Sequence, residues 1–184
     1  VLGLALTAFS QGVAYFHAGV EALRSKSGDR NSFDSGDWFN RMDWRFSQHA
    51  WGSGLPPQQG NADFWPALQP LLADPTIKPQ AQDIRFTRDA FIDLLAIRRS
   101  STLWRLPSAQ AVAQRLTLLN TGPGQEPTVV VGHLDGQGWP GAGFAEILYA
   151  INVAPQDQTL ALPTLRGRPP VGRPLGAVHR VQHQ

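Results

Sequence analysis

The residue pattern changes near Pro107, and that change constrains the fold more than any other feature of the 184-residue chain. Before it, residues 82–99 place Ile84, Phe91, Leu94, Leu95 and Arg98 at three- and four-residue spacing, with Ala90 and Ile97 broadening the apolar face. This is the stripe of an amphipathic helix. Asp83 in the first turn and Arg98-Arg99 in the last suit the helix dipole, and Ser100-Ser101 and Pro107 mark its end. After Pro107, Val112, Gln114, Leu116 and Leu118 share one register, and 128–134, 146–153 and 159–162 are short β-rich runs. Turn-rich stretches at 120–124 and 136–143 separate them. Antiparallel strands, and a second domain beginning near residue 107, are expected.

The amino-terminal part reads differently. Residues 1–10 look like the end of a buried helix, Gly12 breaks it, and VAYF (13–16) has the length and aromatic content of a short strand. His17-Ala18-Gly19 would leave the strand at its carboxyl end, with 21–24 starting a new helical turn. Helix–strand–helix is the grammar of a parallel sheet or barrel, so the expected fold class is α/β followed by all-β. No cation precedes Arg24, so the start is not expected to be a signal peptide, and the apolar run 1–9 is too short to cross a bilayer. A chain opening in mid-pattern reads as a piece of a longer protein.

Composition narrows the function. Hydrophobic residues make up 42%, enough for a packed core, and the absence of cysteine excludes a disulfide framework or a zinc-thiolate site. The net charge of +2 comes from the tail, where Arg166, Arg168, Arg173 and Arg180 face no acid; residues 1–164 hold more acids than bases. The body therefore suggests neither a nucleic-acid partner nor a membrane. The Pro/Gly/Arg-rich tail 163–184 has three readings: disorder, a nucleic-acid-binding arm, or a missing or miscoded terminal strand.

Residues 25–66 carry no clean period and hold Trp38, Trp44, Trp51 and Trp65. Loops this long are usually functional. The densest polar cluster lies here, with Asp29, Asp34, Asp37 and Asp43 beside Arg30, Arg41 and Asn40. Asp37 and Arg41 are four residues apart, which on a helical turn puts carboxylate and guanidinium on one face, with Trp38 and Phe39 between them. Acids that accept hydroxyl hydrogen bonds beside flat aromatic faces suit a sugar. The alternative is a self-satisfied ion pair in a surface loop. A glycosidase acid pair within this loop is disfavoured, because catalytic carboxyls usually sit on rigid strand ends. The aspartates lack the spacing of a calcium loop, although a calcium ion held by one or two of them stays open. The five histidines are scattered, and Ser–His–Asp and phosphate-loop patterns are absent. His17 is retained as a candidate because barrel sites form at carboxyl strand ends, with a satisfied structural histidine as the other reading.

The stretch GVAYFHAGVEALRSKSGDRNSFDSGDWFNRMDW (12–44) resembles the last barrel strand and following loop of the pullulanase-type starch-debranching enzymes. These are α-1,6-glucosidases of glycoside hydrolase family 13, which also includes plant limit dextrinases. GVAYFHAGVE is similar to the family's G-x-P-x-x-x-x-G-x-E motif through Gly12, Gly19 and Glu21, with Ala14 where proline is common. RSKS and DSGDWFNR are more specific to the debranching subgroup. GLPPQQ, LLAD, IRRSSTLWRL, LNTGPGQ and VGHLDG extend the similarity over 1–162, and the tail matches poorly.

The resemblance implies the last strand and helix of a (β/α)8 barrel, with its long substrate loop 25–66, over 1–106. Part of an antiparallel β-sandwich would follow over 107–162, then the irregular basic tail 163–184. It implies retaining hydrolysis of α-1,6 branch points in pullulan, limit dextrin or amylopectin. The nucleophile, acid/base and stabilising carboxylates would come from earlier barrel strands, so the chain carries no catalytic residue and is expected to be inactive alone. Asp37 and Arg41 match the pair that holds a glucose unit, Arg41 orienting Asp37, with Trp38, Phe39 and Asn40 shaping the wall; Glu21 is structural. The implied partners are an α-glucan and the missing amino-terminal part of the barrel, with no cofactor required. Two rivals remain: a non-catalytic α-glucan-binding module, and an inactive gene remnant.

Overall fold

The structure is a computed structural model that describes residues 1–162. The tail, with its three readings, lies outside the described residues. In chain order the elements are α1 (Leu2–Phe9), α2 (Asp37–Asn40), α3 (Trp65–Ala73), α4 (Ala81–Arg99), α5 (Ala109–Arg115), and strands β1 (Leu116–Leu118), β2 (Val129–Asp135) and β3 (Glu146–Asn152), with short 3-10 turns between. The chain divides into two units, Phe16–Ile92 and Val1–Tyr15 with Asp93–Gln184, so the boundary after Ile92 falls inside α4.

The unit Phe16–Ile92 is mostly irregular backbone held by side-chain hydrogen bonds. Buried Ser27 donates through Oγ to the Gly54 carbonyl, and the Trp65 indole donates to the Pro56 carbonyl at 3.0 Å. Buried Asn61 donates through Nδ2 to Asp29 at 3.1 Å and to the Pro57 carbonyl at 2.9 Å, and accepts from the Arg30 amide at 3.2 Å. Long loops persist as single conformations only when their backbone groups find such partners. The sequence offered little signal for α3, because Pro70 inside it removes an internal donor; Pro66 near its start needs no partner there. Ile84 is buried on α4, and the Phe16 ring meets Phe91 edge-on at 4.9 Å.

In the other unit, Leu103, Trp104, Leu106, Ala111, Leu134 and Ala142 form the buried core. Phe9 stacks on Trp104 at 4.8 Å, and Tyr149 tilts against Trp104 at 5.2 Å. The sheet has order β1-β2-β3 and is antiparallel throughout, with Leu116 opposite Leu134 and Gly132 opposite Tyr149. The Gln11 amide clips the core from the side, donating to the Leu103 carbonyl and accepting from the Leu106 amide.

The helix expected at 82–99 and the strands expected near 128–134 and 146–153 are present. Three other expectations need correction. Residues 13–16, expected as the last barrel strand, are in no strand. Among the described residues the sheet of β1, β2 and β3 is the sole sheet, and a strand needs a neighbour's N–H and C=O groups. Tyr15 is 85% exposed. Val112 and Gln114 lie in α5 instead of a strand, because the Ser108 hydroxyl accepts from the Ala111 amide at 3.1 Å and starts a helix. Residues 159–162 form no strand.

Candidate functional site

The aspartate-rich loop is built from the bottom by glycine and asparagine. Gly36 precedes α2 at φ 73°, a left-handed angle that glycine adopts without strain. The Asn40 amide then fastens the turn, donating to the carbonyls of Ser32 at 2.6 Å and Gly36 at 3.0 Å, while its oxygen accepts from the Ser32 hydroxyl. Phe39 is buried and anchors α2, which leaves its neighbours Asp37 and Trp38 facing outward; Trp38 is 50% exposed. Successive helical residues diverge by about 100°, so one buried ring presents the other two side chains to solvent.

Arg41 sits just outside the helix with extended backbone, φ −61° and ψ 151°, after its amide has closed the turn onto the Asp37 carbonyl at 2.8 Å. The side-by-side arrangement expected from the four-residue spacing needs helical backbone at both positions. Arg41 instead lays its guanidinium over the Trp38 ring, 4.7 Å from the centroid. The two make no ion pair, and the Asp37 carboxylate has no hydrogen-bond partner among the described residues.

Other acids of the loop are consumed by it. Partial burial raises the Asp29 carboxyl, but hydrogen bonds from Ser35, Asn31 and Asn61 and the nearby Lys26 charge outweigh it and hold the group below its ordinary range. Asp43 is lowered to about 2 by the Arg45 amide, the Ser47 hydroxyl and amide, and the Gln48 amide. The self-satisfied reading thus applies to Asp29 and Asp43 and not to Asp37. His17 is exposed; its carbonyl accepts from the Val20 amide at 3.1 Å, and its ring bonds to none of Asp37, Trp38 or Arg41.

Sequence reasoning missed Arg24. It donates to the Ala18 carbonyl at 3.3 Å and to the Asn40 carbonyl, so it ties two separate stretches of the loop. Its position in the RSKS run was the available signal. A cleft of about 10 Å³, room for about one water, is lined by Arg24, Arg41, Asp43, Gln48 and His49 among others. Burial pushes His49 below its ordinary value, the Lys78 charge adds to this, and the nearby Pro79 carbonyl pulls the other way. Among the described residues no three His, Asp or Glu side chains converge as metal ligands, and no helix is long and apolar enough to cross a membrane.

Residues 46–178 match the family model described as "Alpha-1,6-glucosidases, pullulanase-type, C-terminal". The chain belongs to this family. The match runs past residue 162, so the pullulanase-type likeness extends into the tail, which was expected to match poorly. "Pullulanase 1, chloroplastic" of Arabidopsis thaliana is 42% identical over 174 residues, covering 91% of this chain and 18% of that protein. "Pullulanase" of Klebsiella pneumoniae is 32% identical over 163 residues, covering 86% and 15%. Among solved structures, PulA from Klebsiella oxytoca superposes with a TM-score of 0.79 at 30% identity, covering 86% of this chain and 15% of that one. The maltotriose complex of PulA from Klebsiella pneumoniae gives 0.80 at 31% identity, covering 86% and 17%. The chain therefore spans less than a fifth of the length of each of these relatives.

Proposed function

We infer that the chain is the C-terminal portion of a starch-debranching enzyme, contributing a wall of the glucan site to a retaining hydrolase of α-1,6 branch points. The observation that carries this reading is the state of Asp37. It is an exposed carboxylate without a partner among the described residues, one residue from the half-exposed Trp38 ring. A carboxylate already engaged by the loop, as Asp29 is, has little left for a ligand. A free one beside an aromatic face can accept sugar hydroxyls while the ring covers the C–H face of a pyranose. Arg41 and Trp38 form the rest of the wall, Phe39 and Asn40 hold it in shape from behind, and His17 is a further candidate contact.

Retaining hydrolysis needs two carboxyl groups about 5–5.5 Å apart. In this reading they belong to an upstream barrel whose last strand is formed by 13–16 once neighbours are present. A known maltotriose complex of a structural neighbour supports choosing maltotriose as the probe. The purified chain should bind maltotriose in a calorimetric titration, lose that binding in Asp37→Ala, and show no hydrolysis of pullulan above background. Hydrolysis by the chain alone, or affinity unchanged in Asp37→Ala, would contradict this reading. The exposed rings of Phe33 and Trp44 favour a second reading, an α-glucan-binding module that needs no barrel. Fusion to the upstream part of a related pullulanase separates the two, since only the first reading restores pullulan hydrolysis.

A further inference from the structure

We propose that Arg24 is a positioning residue for the glucan wall, clamping the end of α2 to the turn at Ala18-Gly19. The proposal rests on the reading of Asp37 and Trp38 given above. The guanidinium donates from Nη1 to the Ala18 carbonyl at 3.3 Å and from Nη2 to the Asn40 carbonyl, the last residue of α2. A four-residue helix cannot hold itself, because one hydrogen-bonded turn does not offset the cost of ordering it. α2 also lacks a side-chain cap at its start. Its amino end is held through Asn40 onto Ser32 and Gly36, and a charged donor on the Asn40 carbonyl supplies the hold at the other end.

The stem of Arg24 is fixed as firmly as its head. Gly19 has φ 92°, and a Cβ placed on it would lie 2.9 Å from both Cβ and Cδ of Arg24 and 3.1 Å from Sδ of Met42. The Gly19 carbonyl accepts from the Arg24 amide at 3.0 Å. The absence of a side chain at Gly19 therefore makes the space that Arg24 occupies. Lysine, with a single ammonium, cannot fork across both carbonyls in this way.

The test compares the full chain with Arg24→Gln, Arg24→Lys and Gly19→Ala. In amide hydrogen exchange, the Arg41 amide, which bonds to the Asp37 carbonyl, should exchange about tenfold faster in Arg24→Gln and Gly19→Ala, with α4 unchanged. Arg24→Lys should fall between, and it decides the matter if the other variants fail to fold. Unchanged exchange at Arg41 in a folded variant overturns the clamp. In maltotriose titrations Arg24→Gln should weaken affinity about tenfold, yet add clearly less than that to the double variant Asp37→Asn/Trp38→Ala, because Arg24 acts through the side chains of α2. Fully additive losses would mean a general structural role and overturn the positioning claim. If the unmodified chain binds no maltotriose, the glucan wall itself falls, while the exchange result still decides the clamp.

Discussion

Arg98 closes the carboxyl end of α1, its Nη1 donating to the Ala8 carbonyl at 2.6 Å. The same guanidinium reaches the carbonyls of Ser10 at 2.9 Å and Gly12 at 2.6 Å, so one buried cation satisfies one acceptor that the helix leaves open and two in the turn that follows it. Hydrogen bonds to a charged group contribute about 1.5–3 kcal/mol each, set against the burial of the charge. Arg98→Leu should lower unfolding free energy by about 3 kcal/mol, read from urea titration. Arg98→Lys should restore only part, since an ammonium cannot span the three carbonyls. A loss below about 0.5 kcal/mol would contradict this, being what an ordinary surface change produces.

Gly132 and Tyr149 face each other across β2 and β3. A Cβ at Gly132 would lie 2.2 Å from Cζ of Tyr149, so the ring lies over a position that only glycine leaves open. Displacing that ring disturbs its contacts with Trp104 and Phe9. Gly132→Ala should destabilise the chain by about 1–3 kcal/mol through overpacking. Thermal unfolding followed by near-ultraviolet circular dichroism checks it, and an unchanged aromatic signal would show that the ring has room to move.

The turn after Asp43 should depend on pH in one direction. The carboxyl is lowered from 3.8 to about 2, so the folded turn favours the ionised form. Its contribution is present above about pH 4 and is lost as pH falls through the folded value, because protonation removes the acceptor shared by Arg45, Ser47 and Gln48. Amide exchange at Gln48, corrected for the intrinsic pH dependence, should accelerate between pH 4 and pH 2. In Asp43→Asn that acid transition should disappear.

Removing the exposed ring of Trp38 should cost affinity more than stability. Half of the ring faces solvent, and Arg41 covers part of it. Trp38→Ala should weaken maltotriose binding about tenfold in calorimetry and leave the melting temperature within about 2 °C. The companion change Phe39→Ala removes a buried ring and should lower the unfolding free energy instead, by roughly the 3–5 kcal/mol typical of such truncations, with a matching fall in melting temperature.

Sequence alone determined the elements whose signal is local. The apolar spacing of Ile84, Phe91 and Leu94 specified α4, and the β-branched runs specified β2 and β3, because each periodicity is a property of the element itself. The GLPPQQ, IRRSSTLWRL and VGHLDG runs, which lie within the matched residues 46–178, likewise marked the family. Tertiary structure decided what depends on partners distant in the chain. Residues 13–16 have strand composition but pair with no strand among the described residues, and Ser108 turned an apparent strand start into α5. Arg41 left the helix and went to Trp38, and Arg24 found carbonyls at positions 18 and 40. Spacing states which residues could meet on one element; which hydrogen bonds form between segments is settled only when backbone groups compete for the same donors.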